Sequence, residues 1–194
     1  MSYVLVGSHP SPFVRRLRLL MEAIPYEFKT LNIYEAEGAA ELHRLNPTHQ
    51  IPLLIDGGKP VWDSRVIFNH LNQRHGLEKM DIDKENLLTV MERLLDAGIA
   101  TFLLVHRSGV AADSDMMYLR RQRDRIDSTY EWLQSWMTSE AANQWSFPTM
   151  TLYSALDWIK FREVHPIGQR SETAAFLARH AHRPVVQATD PRKV

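Results

Sequence analysis

Over 194 residues, 23 basic side chains balance 23 acidic ones, so no net charge draws the chain to nucleic acid or to an anionic membrane. Hydrophobic residues make up 44%, enough to pack one large core or two small ones and too many for a disordered chain. There is no cysteine, which excludes disulfides, thiolate metal sites and every reaction that needs a thiol from the protein itself. No stretch has the apolar length of a membrane span, and the first residues lack the basic start and long apolar run of a signal peptide, so a cytoplasmic protein is expected.

In chain order, Tyr3-Val4-Leu5-Val6 is a short apolar run ending at a glycine and reads as a buried strand. Pro12 suits an early helical position, and Phe13, Leu17, Leu20, Met21 and Ile24 recur at helical spacing up to Pro25. Arg15, Arg16 and Arg18 fall mostly on the other faces. Tyr26 to Asn32 reads as a second strand, and Ala36 to Leu45 as a short helix or turn closed by Asn46-Pro47. Leu53-Leu54-Ile55, Asp56-Gly57-Gly58 and Pro60-Val61-Trp62 make a hairpin pattern. Ser64 to Arg74 reads as a helix stopped by Gly76.

From Glu78 to Glu85 the chain is charged and poor in apolar residues, which reads as a linker. Beyond it strand signals vanish. Helices are expected over Leu87 to Val105, Met116 to Thr138, Thr151 to Arg162 and Ser171 to His180. The division expected is therefore 1–77, a linker at 78–85, and an all-helical domain over 86–194. Ser154-Ala155-Leu156-Asp157 has the spacing of a helix capping box. The Arg120–Arg125 run has Asp115, Asp124 and Asp127 close by and reads as a solvated helix face. His180 and His182 have no third ligand spaced to join them, so no metal site is expected.

The chemistry-bearing candidates are three short blocks. Pro52 would enter the strand Leu53-Leu54-Ile55 at its first position, where a missing N–H is tolerated. Ile51 is thereby pushed into an extended conformation, its backbone open to an extended peptide laid alongside. Asp63-Ser64 reads as a helix start: exposed N–H groups and a hydroxyl suit a carboxylate, and a nearby Asp suits an ammonium, as in an amino-acid-like group. The local sequence alone slightly favours the plainer reading of these two residues as a helix cap. Ser11, ahead of Pro12, has the pattern of a helix N-cap.

Three blocks resemble the glutathione transferase superfamily: Gly7-Ser8-His9-Pro10-Ser11-Pro12-Phe13-Val14-Arg15-Arg16, then Asn46-Pro47 through Ile51-Pro52, then Asp63-Ser64. Leu152–Asp157 and Arg183–Thr189 continue the likeness in family order, and the bacterial members with an active serine are the nearest in pattern. The resemblance implies a thioredoxin-like domain in the α/β class, followed by a helical bundle. It implies a cis Ile51-Pro52 peptide and glutathione as cosubstrate, with no metal.

Residue by residue, it implies Ser11 as the hydroxyl that stabilises the glutathione thiolate, with Ser8 and His9 as nearby competitors. Ile51 and Pro52 would take the cysteinyl part and Asp63 and Ser64 the γ-glutamyl end. Gln50 stands where a lysine is common and His49 where a glycine is common, which alters the contact to the glycyl carboxylate. Met91, Phe102, Val105, His106, Met117 and Tyr118 lie where the family builds its pocket for a hydrophobic electrophile. A homodimer is implied, with neither nucleic acid nor membrane as partner. The alternative is a non-catalytic module of the same fold that binds other proteins.

Overall fold

The computed structural model describes residues 2–193, which form two units: Met1–Lys79 with Arg183–Val194, and Met80–His182. In the first, the order is β1 (Tyr3–Gly7), α1 (Pro12–Leu20), β2 (Tyr26–Thr30), α2 (Ala36–Leu45), β3 (Leu53–Asp56), β4 (Lys59–Trp62) and α3 (Ser64–His75). This is the β-α-β-α-β-β-α order expected. The strands form one mixed sheet in the order β2-β1-β3-β4, with β1 and β2 parallel and the other pairs antiparallel. Gly57 and Gly58 both take positive φ (55° and 85°), the conformation a two-residue hairpin turn requires and glycine adopts freely.

The two central strands, β1 and β3, are buried on both faces of the sheet. Val6 and Leu53 pack with Leu31 and with Leu42 of α2. Leu5 and Leu54, of opposite parity along their strands, are fully buried, as are Val14, Leu17, Ile67 and Leu71 of α1 and α3. Burial of a side chain of this kind stabilises by about 1.5–3 kcal/mol.

Two of the three arginines of α1 are not solvated. Arg15 and Arg16 are both buried. Arg15 donates to the Thr189 hydroxyl (3.4 Å) and the Val186 carbonyl (3.3 Å), tying α1 to α8 (Pro184–Ala188) and its C-cap residue. Amphipathic periodicity marks which face of α1 is apolar; only the tertiary partners show that its polar face is covered too.

The second unit contains α4 (Ile82–Phe102), a π-helical segment at Leu103–Arg107, α5 (Met117–Met137), α6 (Phe147–Phe161) and α7 (Ser171–His180). Its core is built from Met91, Leu94 and Leu95 of α4, Ile126, Tyr130 and Leu133 of α5, Leu152, Leu156 and Ile159 of α6, and Phe176 of α7.

The boundaries differ from those expected. The charged stretch 78–85 is not all linker. Glu78 is pinned to α3, donating its N–H to the Asn72 side chain at 2.7 Å and accepting from it at 2.8 Å. Asp81 caps α4, accepting from the Lys84 N–H at 2.9 Å, and Asp83 and Glu85 sit in its first turn. Acidic residues there complement the positive end of the helix, so charge that reads as a gap is a helix start. At the other end, 183–194 groups with the sheet unit rather than with the helical one.

The capping box also moves. Ser154 lies in the middle of α6, which begins at Phe147; Ser146 is its cap and accepts from the Thr149 N–H at 3.4 Å.

Candidate functional site at the Gly7 end of the sheet

Strand register brings the three sequence blocks together. Val6 pairs with Leu53, and Leu53 pairs with Trp62. The loop after β1, the Ile51-Pro52 step before β3 and the Asp63-Ser64 step after β4 therefore all lie at one end of the sheet. Residues some fifty apart in sequence converge because two antiparallel ladders turn the chain back to the same edge.

Ser11 is the N-cap of α1. Its Oγ accepts a 3.3 Å hydrogen bond from the Val14 N–H, and its own N–H donates to the Ser8 carbonyl at 3.2 Å. Accepting through a lone pair leaves the hydroxyl proton free to donate outward. Capping and a second hydrogen bond are therefore compatible. The first turn of α1 holds no acidic residue, so its positive end is not neutralised locally.

His9 is turned to other work. Arg18 donates to its Nδ1 at 3.1 Å, its Nε2 lies 3.4 Å from the Thr30 hydroxyl, and its ring meets Phe28 edge-on at 5.0 Å. Burial, and then the Arg18 guanidinium, lower its pKa, which keeps it neutral.

The Asn46–Pro52 loop is built around one side chain. Asn46 is 1% exposed; it donates to the Gln50 carbonyl at 2.7 Å and accepts from the Thr48 N–H and hydroxyl at 2.9 Å each. His49 takes a left-handed φ of 55°, and its ring stacks on His43 of α2 at 3.6 Å. Gln50 is exposed. The Ile51-Pro52 peptide is cis, and Ile51 stands outside the ladder, which begins at Leu53.

At the start of α3, Asp63 holds a strained φ of 68° and its carboxylate caps the helix, accepting from the N–H groups of Arg65 (2.7 Å) and Val66 (3.3 Å). Ser64 is 2% exposed, and its hydroxyl accepts from buried Arg16 at 2.5 Å. Arg16 is the residue that sequence reasoning missed: it sets a positive charge beside Ser64. The signal available was its i+5 spacing from Ser11, which places it one turn and a half along α1 and on a different face.

Of the six residues expected around an electrophile, Met91 is core of the second unit; Phe102 and Val105 are half-buried; His106, Met117 and Tyr118 are exposed. An open cavity lined by Arg18, Met21, Tyr26 and Val185 lies at the far end of α1 and includes none of the expected site residues. Among the described residues, no group of three or more His, Asp or Glu is placed to hold a metal, and no helix is long and apolar enough to cross a membrane.

Residues 1–73 match the glutathione S-transferase N-terminal domain family. Glutathione S-transferase D7 of Drosophila melanogaster is 25% identical over 78% of this chain and 73% of its own length. A GST-like protein of Escherichia coli, YibF, is 26% identical over 84% of each. Among solved structures, a glutathione S-transferase of Methylobacterium radiotolerans in complex with glutathione sulfonate superposes with a TM-score of 0.81 at 20% identity, over 97% of this chain and 94% of that one. A glutathione transferase family member of Pseudomonas fluorescens with bound glutathione gives 0.79 at 23%, over 96% and 98%. The fold of the chain is theirs, and its residues 1–73 carry the glutathione S-transferase N-terminal domain.

Proposed function

We propose that this protein is a glutathione transferase, conjugating the glutathione thiolate to hydrophobic electrophiles. The observation that carries this is the convergence of Ser11, Ile51-Pro52 and Asp63-Ser64 at one end of the sheet, with the Ser11 hydroxyl proton uncommitted. Glutathione lies extended along Ile51 and Pro52, beside Gln50. Its γ-glutamyl end meets the start of α3, where Asp63 faces the ammonium and the Ser64 region, backed by Arg16, faces the carboxylate. Relatives with glutathione or glutathione sulfonate bound support this placement.

The chemical task is thiolate formation. A free thiol titrates near about 8.5, and lowering that by about two units takes roughly 2.7 kcal/mol of differential stabilisation. A hydroxyl donor from Ser11 and the positive end of α1 supply it together. The thiolate sulfur then forms a bond to an electrophilic carbon; the displaced electron pair leaves with the leaving group or is protonated by solvent. Glutathione is the cosubstrate, no metal takes part, and the working form is a cytoplasmic homodimer in detoxification.

A second reading has its own observation. The Asp63 carboxylate and the Ser64 hydroxyl are both engaged within the chain, and Gln50 offers no charge where a lysine is common. A non-catalytic interaction module of the same fold would retain these contacts for stability alone. Calorimetric titration with glutathione, paired with a conjugation assay, separates the two: the transferase binds in the range up to about 1 mM, the order of enzyme KM values, and turns over, whereas the module shows no heat and no product.

A further inference from the structure

The second unit holds an arginine with aromatic partners and, among the described residues, no polar one. Arg162 follows α6, and its guanidinium carbon lies 4.7 Å from the ring centre of Phe161 and 5.6 Å from that of Phe102. Its Nε is buried without a hydrogen bond, and no hydrogen bond or ion pair of its guanidinium is seen among the described residues. The terminal amino groups are not among the buried unpartnered atoms, so they keep access to solvent. Ring faces attract a cation but accept none of its in-plane N–H bonds. The result is a guanidinium set against two rings, with its Nε desolvated and its terminal amino groups without a hydrogen bond among the described residues.

A second guanidinium and a histidine ring gather on Phe102 as well. The π-helical segment at the end of α4 sets the His106 ring in a stack on Phe102 (5.0 Å, 28° between planes) and the Arg107 guanidinium 5.9 Å from its centre. Trp158 meets Phe102 edge-on at 5.4 Å and fixes the ring. π-Helical turns occur disproportionately at functional sites. A fork of donors matches a carboxylate in two parallel hydrogen bonds. The stack of Phe102 and exposed His106 presents an aromatic face beside it.

We propose that Arg162, with Arg107 and His106 around Phe102, binds the carboxylate of a flat aromatic acid. The site lies wholly within the second unit. It needs no glutathione, so its failure and the failure of the transferase reading are separate results.

The test is calorimetric titration of the full chain, without glutathione and at low salt, with 2-naphthoate and with its neutral counterpart 2-naphthamide. The acid binds about tenfold or more tightly than the amide, and the difference shrinks as salt is added. Arg162→Met lowers naphthoate affinity to that of the amide and leaves the amide unchanged. Arg162→Lys, which keeps charge but loses the fork, falls between. Phe102→Leu weakens both ligands. Equal affinities of the parent for acid and amide overturn the proposal, as does no naphthoate binding up to about 10 mM, beyond which affinity is negligible. A folded Arg162→Met that binds naphthoate like the parent overturns it too. Where that variant does not fold, the acid-against-amide comparison on the parent decides.

Discussion

Two regions of this protein treat polar side chains in opposite ways. At the Gly7 end of the sheet, Ser11, Asn46, Asp63 and Ser64 each have a partner within the first unit: a helix N–H, a loop carbonyl, two helix N–H groups and a buried guanidinium. At the end of α4 and α6, the side chain of Arg162 has only rings as partners among the described residues. The first arrangement is rigid before any ligand arrives, which suits a site that must hold a flexible peptide extended. The second leaves its hydrogen bonds unmade. The lesson is that a side chain's use in the fold does not exclude its use in function: Ser11 caps a helix through a lone pair and keeps its proton.

The largest effect is expected at Asn46. Asn46→Ala removes three hydrogen bonds at a buried site and leaves the loop groups short, which is expected to cost about 3 kcal/mol in urea unfolding and to weaken glutathione binding with it. A loss under about 1 kcal/mol would mean that the loop is not held from within. Next is Ser64→Ala, which strips buried Arg16 of a partner; about 2 kcal/mol of stability should go, together with glutathione affinity. Arg16→Met in the same background separates the two roles: if it restores stability but not affinity, the charge beside Ser64 serves the ligand.

In the helical unit, Ser146→Ala tests the relocated cap of α6 and is expected to lose about 1 kcal/mol, with glutathione affinity unchanged. Ser154→Ala, at the position where sequence spacing places a cap, should lose nothing by that mechanism.

The smallest effect is in pH, with one histidine in each unit. His9 is lowered by burial and by Arg18; His165 is lowered chiefly by burial, which outweighs the carboxylate of Asp127 at 3.9 Å. A histidine whose folded pKa lies below its unfolded value binds fewer protons folded than unfolded. Its contribution is fully present above the ordinary value of about 6.5 and is lost as pH falls toward and through the lowered one. Urea midpoints should therefore drop between about pH 7.5 and 5, above the carboxylate range, and less so in His9→Gln and His165→Asn.

Much of this was legible in sequence, for physical reasons. Strands β1 and β3 are short apolar runs, the Gly57-Gly58 turn and the Gly76 stop follow from backbone freedom, and period 3.6 marks α4 and α5. Ile51-Pro52 and Asp63-Ser64 stand out because proline and helix-start chemistry are local. What was not legible depends on partners far along the chain. Arg16 and Arg15 look like surface charge until α3 and α8 cover them. Asp81, Asp83 and Glu85 look like linker because helix-capping acids and solvated acids have the same composition. The Ser154 spacing satisfies a capping pattern inside a helix that starts seven residues earlier at Phe147. The unpartnered Arg162 is visible only once the rings around it are placed.

The central claim is that Ser11 sets the ionisation of bound glutathione, and thiolate absorbance against pH, measured by stopped flow on the parent and on Ser11→Ala, tests it most directly. Ser11→Ala should raise the pKa of the bound thiol by about one unit, some 1.4 kcal/mol, as expected for one hydrogen bond to a charged group. Glutathione affinity should stay largely intact, and conjugation should slow near neutral pH but not at high pH, where the thiolate forms unaided. If the two titration curves overlie, Ser11 is a helix cap and nothing more, and the assignment of the thiolate to it is wrong.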